Sequence, residues 1–449
     1  MMGVGTTVKP ESLVPETPPE QASVATHPAR ADCRFWFGVA SAVALGAVVR
    51  FVYLFHGAPV RVLGDGFDYH LRALRLADGL GYTSALGGGG AETAHHPPVW
   101  VTLLAGVAEA GGRSMRAHQI TGLVIGLGLI VVAGLVGRRY AGRRVGVVGA
   151  FLAAAYPGFW ALEAQILSEP LGLLVVGLLM LVLADLWERP SVPRAVLAGV
   201  LTGALALVRS EQLALLVIAV APILLFNRRV TVKRRLAGTI AATLTSAALI
   251  APWTIHNLGR FEEPVVLSTN LGSTLLGGNC ASTYGGELLG AFDRECNAEV
   301  RTPALDRSQR DLELRRAAFA NMRDNVDRLP ATVLARHGRT LGAFRPVQTV
   351  EREASWLGSA TWPVWAWVGS FWIVAPLALY GSVLLRRERI FEWPLLAPAV
   401  VTVLVVTVAA GFLRYHIPGD LGLVVLAAVA LERLLRTTSH PGERNVSGG

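Results

Sequence analysis

The chain has 449 residues, of which 52% are hydrophobic and only 16% charged, and its mean hydropathy is +0.47. That balance excludes an ordinary soluble protein of this length and indicates a polytopic membrane protein. The net charge of +9 would suit a nucleic-acid binder, but the basic residues gather in short turns between apolar runs, where they report topology, so no nucleic-acid partner is expected.

Residues 1–31 are rich in Pro, Thr, Glu and Ala without apolar periodicity, which predicts a disordered cytoplasmic tail rather than a cleavable signal. The first apolar run, 35–56, meets the roughly 20 residues that a bilayer requires. Further runs at 117–137, 145–166, 170–187, 194–208, 211–226, 236–255, 364–385, 393–412 and 417–434 bring the expectation to about ten spans in an all-α bundle. The stretch 97–112 opens with two prolines and is too short to cross, so it is expected to be juxtamembrane or re-entrant.

Three basic clusters set the orientation: Arg138, Arg139, Arg143 and Arg144; Arg228, Arg229, Lys233, Arg234 and Arg235; and Arg386, Arg387 and Arg389. All are expected in the cytoplasm, which puts the N-terminus inside and the two long polar segments, 57–116 and 256–362, on the outer face. Arginine supplies nearly all the positive charge, a usage that suggests a GC-rich bacterial genome and hence a bacterial plasma membrane. The chain divides into the tail, a transmembrane module over 35–256, an extracytoplasmic loop over 257–362, closing helices over 363–435 and a cytoplasmic tail over 436–449. Cys280 and Cys296 fall in the long loop, where an oxidising compartment would join them; a free pair is the alternative, and Cys33 is left over.

The stretch "GDGFDYHLRALRLADGLGY" at 64–82 follows the first span. Its Phe67, Leu71 and Leu74 form one stripe, the pattern of a helix lying in the interface. Asp65 then reads as an N-cap and Asp68 as an imperfect capping-box partner. The plain reading of the pair is capping; the functional one is a catalytic carboxylate.

The order of motifs resembles the GT-C class of integral-membrane glycosyltransferases, the branch with protein O-mannosyltransferases and aminoarabinose transferases. The acidic stretch is followed by the Pro-rich "TAHHPPVWVTLLAG", then by "LSEPLGLL" at 167–174, "APWTIHNLGRFEEPVV" from 251 and "LRYHIPGDLGLVVLAA" at 413–428. The resemblance spans roughly 35–435 and implies a GT-C-like bundle of about ten transmembrane helices, with juxtamembrane helices and two large outer-face segments. It implies transfer of a sugar from a polyprenyl-phosphate donor to a glycan, lipid or protein acceptor outside the membrane. Asp65 matches the family's catalytic aspartate; many members have adjacent acids, whereas here Gly66 and Phe67 separate Asp65 from Asp68, so both acids are catalytic candidates.

A carboxylate can take the acceptor's proton as the glycosidic bond forms, and the leaving phosphate needs fixed positive charge. Arg414, beside Tyr415 and His416, is the leading phosphate candidate, with Arg209 and His256 behind it; Tyr69, His96, Glu169 and His416 complete the substrate-binding set. Each has a plain alternative: Arg414 as a snorkelling anchor, Arg209 paired with Glu211 at a span end, Glu169 as a cap. Asp65 and Asp68 are also compatible with a divalent cation, but His95 and His96, being adjacent, should point apart, and no metal site is expected of them. Gly277, Gly278 and Asn279 lack the Gly-Lys-Ser/Thr that a P-loop requires and read as a tight turn. The tryptophans of 356–372 read as an interfacial belt, with sugar stacking as the alternative. A flippase for a lipid-linked sugar is the competing function, and it requires no base.

Overall fold

In the computed structural model, residues 27–57, 61–84, 90–300 and 306–439 are described. The regular elements among them are helical: α1 His27–His56, α2 Gly64–Ala77, α3 Pro98–Glu109, α4 Met115–Ala155, α5 Pro157–Glu163 and α6 Glu169–Glu188. There follow α7 Val192–Ala206, α8 Ala221–Leu225, α9 Val232–Leu258, α10 Leu271–Gly278, α11 Glu295–Glu299 and α12 Arg307–Asp324. The chain closes with α13 Leu329–Thr340, α14 Pro346–Leu357, α15 Thr361–Arg387, α16 Trp393–Val408 and α17 Ile417–Ser439. One isolated bridge joins Thr83 to Glu92. Of the tail expected over 1–31, residues 27–31 already belong to α1 and the rest lies outside the described residues, as do residues 440–449 of the C-terminal tail.

Among the described residues, five helices are long and apolar enough to cross a membrane: Asp32–His56, Met115–Ala155, Glu169–Glu188, Val232–Leu258 and Thr361–Arg387. The 41-residue α4 is a hairpin of two limbs, broken where Ala141 leaves helical backbone and Gly142 takes φ +88°. Gly134 and Gly137 on the first limb pack against Gly146 on the second, an approach only small residues permit. The hairpin turn carries the first arginine cluster, with Arg138 and Arg143 paired to Asp32 and Arg139 to Asp185 and Glu188. α3, with 12 residues, would reach only about 18 Å, too short to cross. The apolar run 211–226 departs from the expected uniform span: it is a 3₁₀ turn, a π turn and the short α8 in succession.

The core is continuous through α1, α4, α6, α7 and α15–α17 and includes the fully buried Trp100 and Trp367. Within it Arg50 Nε and Nη2 donate to both oxygens of Glu163 at 2.5 and 2.7 Å, each side chain 1% exposed. Such a pair survives in an apolar core only because both charges are matched in geometry and partner. Connectivity sends the segments after α1, before α6, after α7 and before α17 to one end of the bundle, remote from the basic turns. There they meet α10–α14.

Candidate active site at the loop end

α2 lies across this end because its third residue, Gly66, rests on the carbonyl of Gln165, where any Cβ would collide. The following Ile166 is held at φ +58°, a conformation a β-branched residue rarely takes, and its carbonyl accepts from Trp100 Nε1 at 2.9 Å. Two residues further on, Ser168 and Glu169 open α6 beneath α2, and the Tyr69 hydroxyl reaches Ser168 Oγ at 3.4 Å.

A cavity of about 680 Å³ opens here. Asp65 stands on one wall, a third exposed, with Arg414 Nη1 donating to its Oδ2 at 3.0 Å and His96 Nε2 3.8 Å from its Oδ1. Burial pushes the Asp65 carboxyl up, but Arg414, then His96 and His95, outweigh it and hold the group well below the usual carboxylate range. It is an anion at any ordinary pH. The Tyr69 ring packs on His96 with centroids 4.6 Å apart, and burial together with Asp65 pushes its phenol up, so it stays a neutral donor. Deeper in, Arg209 bridges Glu169 at 2.7 Å and Glu211 at 2.6 Å, so the span-end pairing with Glu211 is real and is extended to the buried Glu169.

The structure therefore gathers Asp65, Tyr69, His96, Glu169, Arg209 and Arg414 around one cavity. Other candidates are placed elsewhere. Asp68 completes no capping box; it turns away from the cavity, 93% buried, into an ion pair with Arg72 at 2.8 Å one helical turn on. Asp65 makes no cap either: Leu63 holds the N-cap position. His256 stacks on Trp253, three residues back on α9, and does not line the cavity. His416 is buried against Asp420 at 2.7 Å and packs on Phe371, facing the helices rather than the cavity. Cys280 and Cys296 form a disulfide that closes the turn beneath α10.

His95 and His96 do not point apart. Their rings meet edge to face with centroids 4.5 Å apart, and Asp65 brings a third ligand atom to within 4.8 Å of both. Burial, with His96 and Arg72, holds His95 well below its ordinary value, in the neutral form that ligates metals. An aromatic wall also lines the cavity, of which the sequence offered Trp356, among the tryptophans of 356–372, but not Phe292 or Phe412. Trp356 joins Phe292 and Phe412 along the cavity, with centroids 5.3 to 5.8 Å apart, whereas Trp362, Trp365 and Trp372 face outward. No spacing rule separates Trp356 from its neighbours; only the end of α14, one residue beyond it at Leu357, does.

The helical architecture, with a loop-end cavity over an interfacial acidic helix, is that of a polytopic membrane protein. Residues 95–256 match the family model of dolichyl-phosphate-mannose-protein mannosyltransferases, in agreement with the resemblance carried by the motifs. The fold is shared with the oligosaccharyltransferase of Archaeoglobus fulgidus in its complex with Zn and sulfate, at 14% identity and a TM-score of 0.51, over 88% of this chain and 49% of that one. The AglB oligosaccharyltransferase of the same organism, with an inhibitory peptide and a dolichol-phosphate, matches at 13% identity and a TM-score of 0.49, over 93% and 53% of the two chains. ArnT from Cupriavidus metallidurans, bound to undecaprenyl phosphate, matches at 15% identity and a TM-score of 0.43, over 89% and 79%. The chain spans about half the length of the oligosaccharyltransferases it matches. No curated protein sequence matches it.

Proposed function

We propose that the protein is a membrane glycosyltransferase that moves a sugar from a polyprenyl-phosphate-linked donor to an acceptor hydroxyl outside the cytoplasm. The observation that carries this reading is the Asp65–Arg414 pair on the cavity wall, an anion and a cation 3.0 Å apart where a lipid phosphate would lie. In the reaction the acceptor oxygen forms the new bond to the anomeric carbon and its proton passes to Asp65. The bond from that carbon to the phosphate oxygen breaks, and the polyprenyl phosphate leaves with its charge matched by Arg414. Tyr69, with its neutral phenol, and His96 hold Asp65 and the sugar from the α2 side; Arg209 is kept in place by Glu169.

Asp65, His95 and His96 have the donor set and spacing to hold a divalent cation, which would supply further positive charge for the leaving phosphate. The loop face is read as extracytoplasmic because the basic turns lie at the other end and a disulfide closes one of its loops. A flippase would need polar groups along a path through mid-membrane, whereas the charged groups of this cavity gather at the loop end.

The test is transfer from a panel of radiolabelled polyprenyl-phosphate sugars by purified protein in liposomes. Labelled product formed by the wild type supports the reading and names the donor sugar. Movement of labelled lipid between leaflets without product would instead favour the flippase.

A further inference from the structure

Arg414 and Asp65 come from distant parts of the chain, 349 residues apart, and neither sits on a helix that by itself aims it at the other. Asp65 is in the first turn of α2, and Arg414 is in a 3₁₀ turn, Leu413–His416, between α16 and α17. α14 touches both. Its C-terminal Gly358 takes φ +59° against the carbonyl of Arg61 and accepts from the Arg61 amide at 3.0 Å, which fixes the segment leading into α2. One turn earlier, Glu353 Oε2 accepts from the Leu413 amide at 3.0 Å, which fixes the turn that carries Arg414.

Glu353 is 2% exposed, and its second oxygen, Oε1, is fully buried without a hydrogen-bond partner. So is Nε2 of Gln165, the residue whose carbonyl supports Gly66. Both residues border a second, small cavity of about 10 Å³, whose wall also includes Asp65, Trp356 and Arg414. That volume is close to the space one water occupies, and a water there would accept from Gln165 and donate to Glu353. Two unpaired buried polar atoms beside one small void are costly unless something joins them.

We propose that Glu353 is a positioning residue for Arg414: through the Leu413 amide, and through one water shared with Gln165, it fixes the turn that presents Arg414 to the donor phosphate. This rests on Arg414 being the phosphate-binding cation. The role needs an acceptor oxygen at this point and not a charge. Burial pushes the Glu353 carboxyl up against the opposing pull of Arg414 and of the amides of Leu413 and Arg414, so a neutral amide is a fair replacement.

The experiment measures binding of bare undecaprenyl phosphate to purified protein in detergent, with sugar transfer followed in parallel. Glu353→Ala should weaken binding by about tenfold, appearing in transfer as a raised KM for the donor rather than a lowered kcat. Glu353→Gln, which keeps the acceptor oxygen, should stay within about threefold of the wild type. The double variant Glu353→Ala/Arg414→Ala should bind no more weakly than Arg414→Ala alone, because Glu353 acts through Arg414. Independent, multiplying losses would overturn the proposal, as would a tenfold loss in Glu353→Gln, which remains decisive if the alanine variant does not fold. Lipid binding without any sugar transfer by the wild type would sink the transferase reading while leaving this test intact. No binding of the lipid phosphate by the wild type would overturn the positioning role itself.

Discussion

Replacing Asp65 by Asn keeps the shape of the side chain and removes its capacity to take a proton. A positioned general base contributes about 10²- to 10⁴-fold, so kcat should fall at least about 100-fold, roughly 2.7 kcal/mol on the barrier. The same change strips Arg414 of the partner it meets at 3.0 Å. The Asp65 side chain is 34% exposed and that of Arg414 18%, so solvent screens the pair and the fold should lose about 1 kcal/mol or less. Activity and stability are thereby separated: transfer collapses while the melting temperature in detergent barely moves. The assay is single-turnover transfer from a labelled polyprenyl-phosphate sugar, with size-exclusion profiles as the control for folding. A variant that kept more than about a tenth of the wild-type rate would refute the assignment of the base.

Arg414→Gln probes the same carboxylate from the other side. Burial raises the Asp65 pKa and Arg414 is the largest of the groups that lower it, so without Arg414 the acidic limb of the kcat profile should move to higher pH; an unmoved limb would show that Asp65 does not titrate in the reaction. Glu163→Gln removes the charge that matches Arg50 and leaves the buried guanidinium with one amide oxygen and the Gly46 and Ala154 carbonyls to accept from it, and should cost about 3–5 kcal/mol in thermal unfolding; a neutral result would mean that water reaches the pair. Gly66→Ala drives a methyl into the Gln165 carbonyl and should destabilise by about 1–3 kcal/mol and lower transfer, checked by melting and activity together. Zinc binding, followed by equilibrium dialysis, should weaken by about tenfold or more in His95→Ala; equal binding by the variant would remove Asp65, His95 and His96 as a metal site.

Hydropathy carried much of the fold because a bilayer imposes one length on every crossing element. The four arginines at 138–144 and Gly142 even mark the turn that splits α4. The run 211–226 departs from a uniform span for a local reason: Arg209, beside its head, pairs with both Glu169 and Glu211, and the backbone there forms a 3₁₀ turn before α8 opens at Ala221 and Pro222. Within the site, Asp65 and Arg414 were readable as charges beside apolar runs. Direction was not. Asp68, His256 and His416 are captured by neighbours on their own segment, Arg72, Trp253 and Asp420. Those short-range partners were visible in the sequence, at spacings of three or four residues, and deserved more weight than nearness to the loops. Glu353 gave no such signal, because its partner is a backbone amide 60 residues away.

Four carboxylates and four guanidiniums border the large cavity, Asp65, Glu169, Glu211 and Asp311 against Arg209, Arg294, Arg315 and Arg414, so their formal charges cancel. A phosphate therefore cannot settle against Arg414 without competing with the carboxylate already there. On the proposed reaction, that competition would act as a safety catch: at rest the base would stay locked to a cation, and the anionic end of the donor would be the key that frees it.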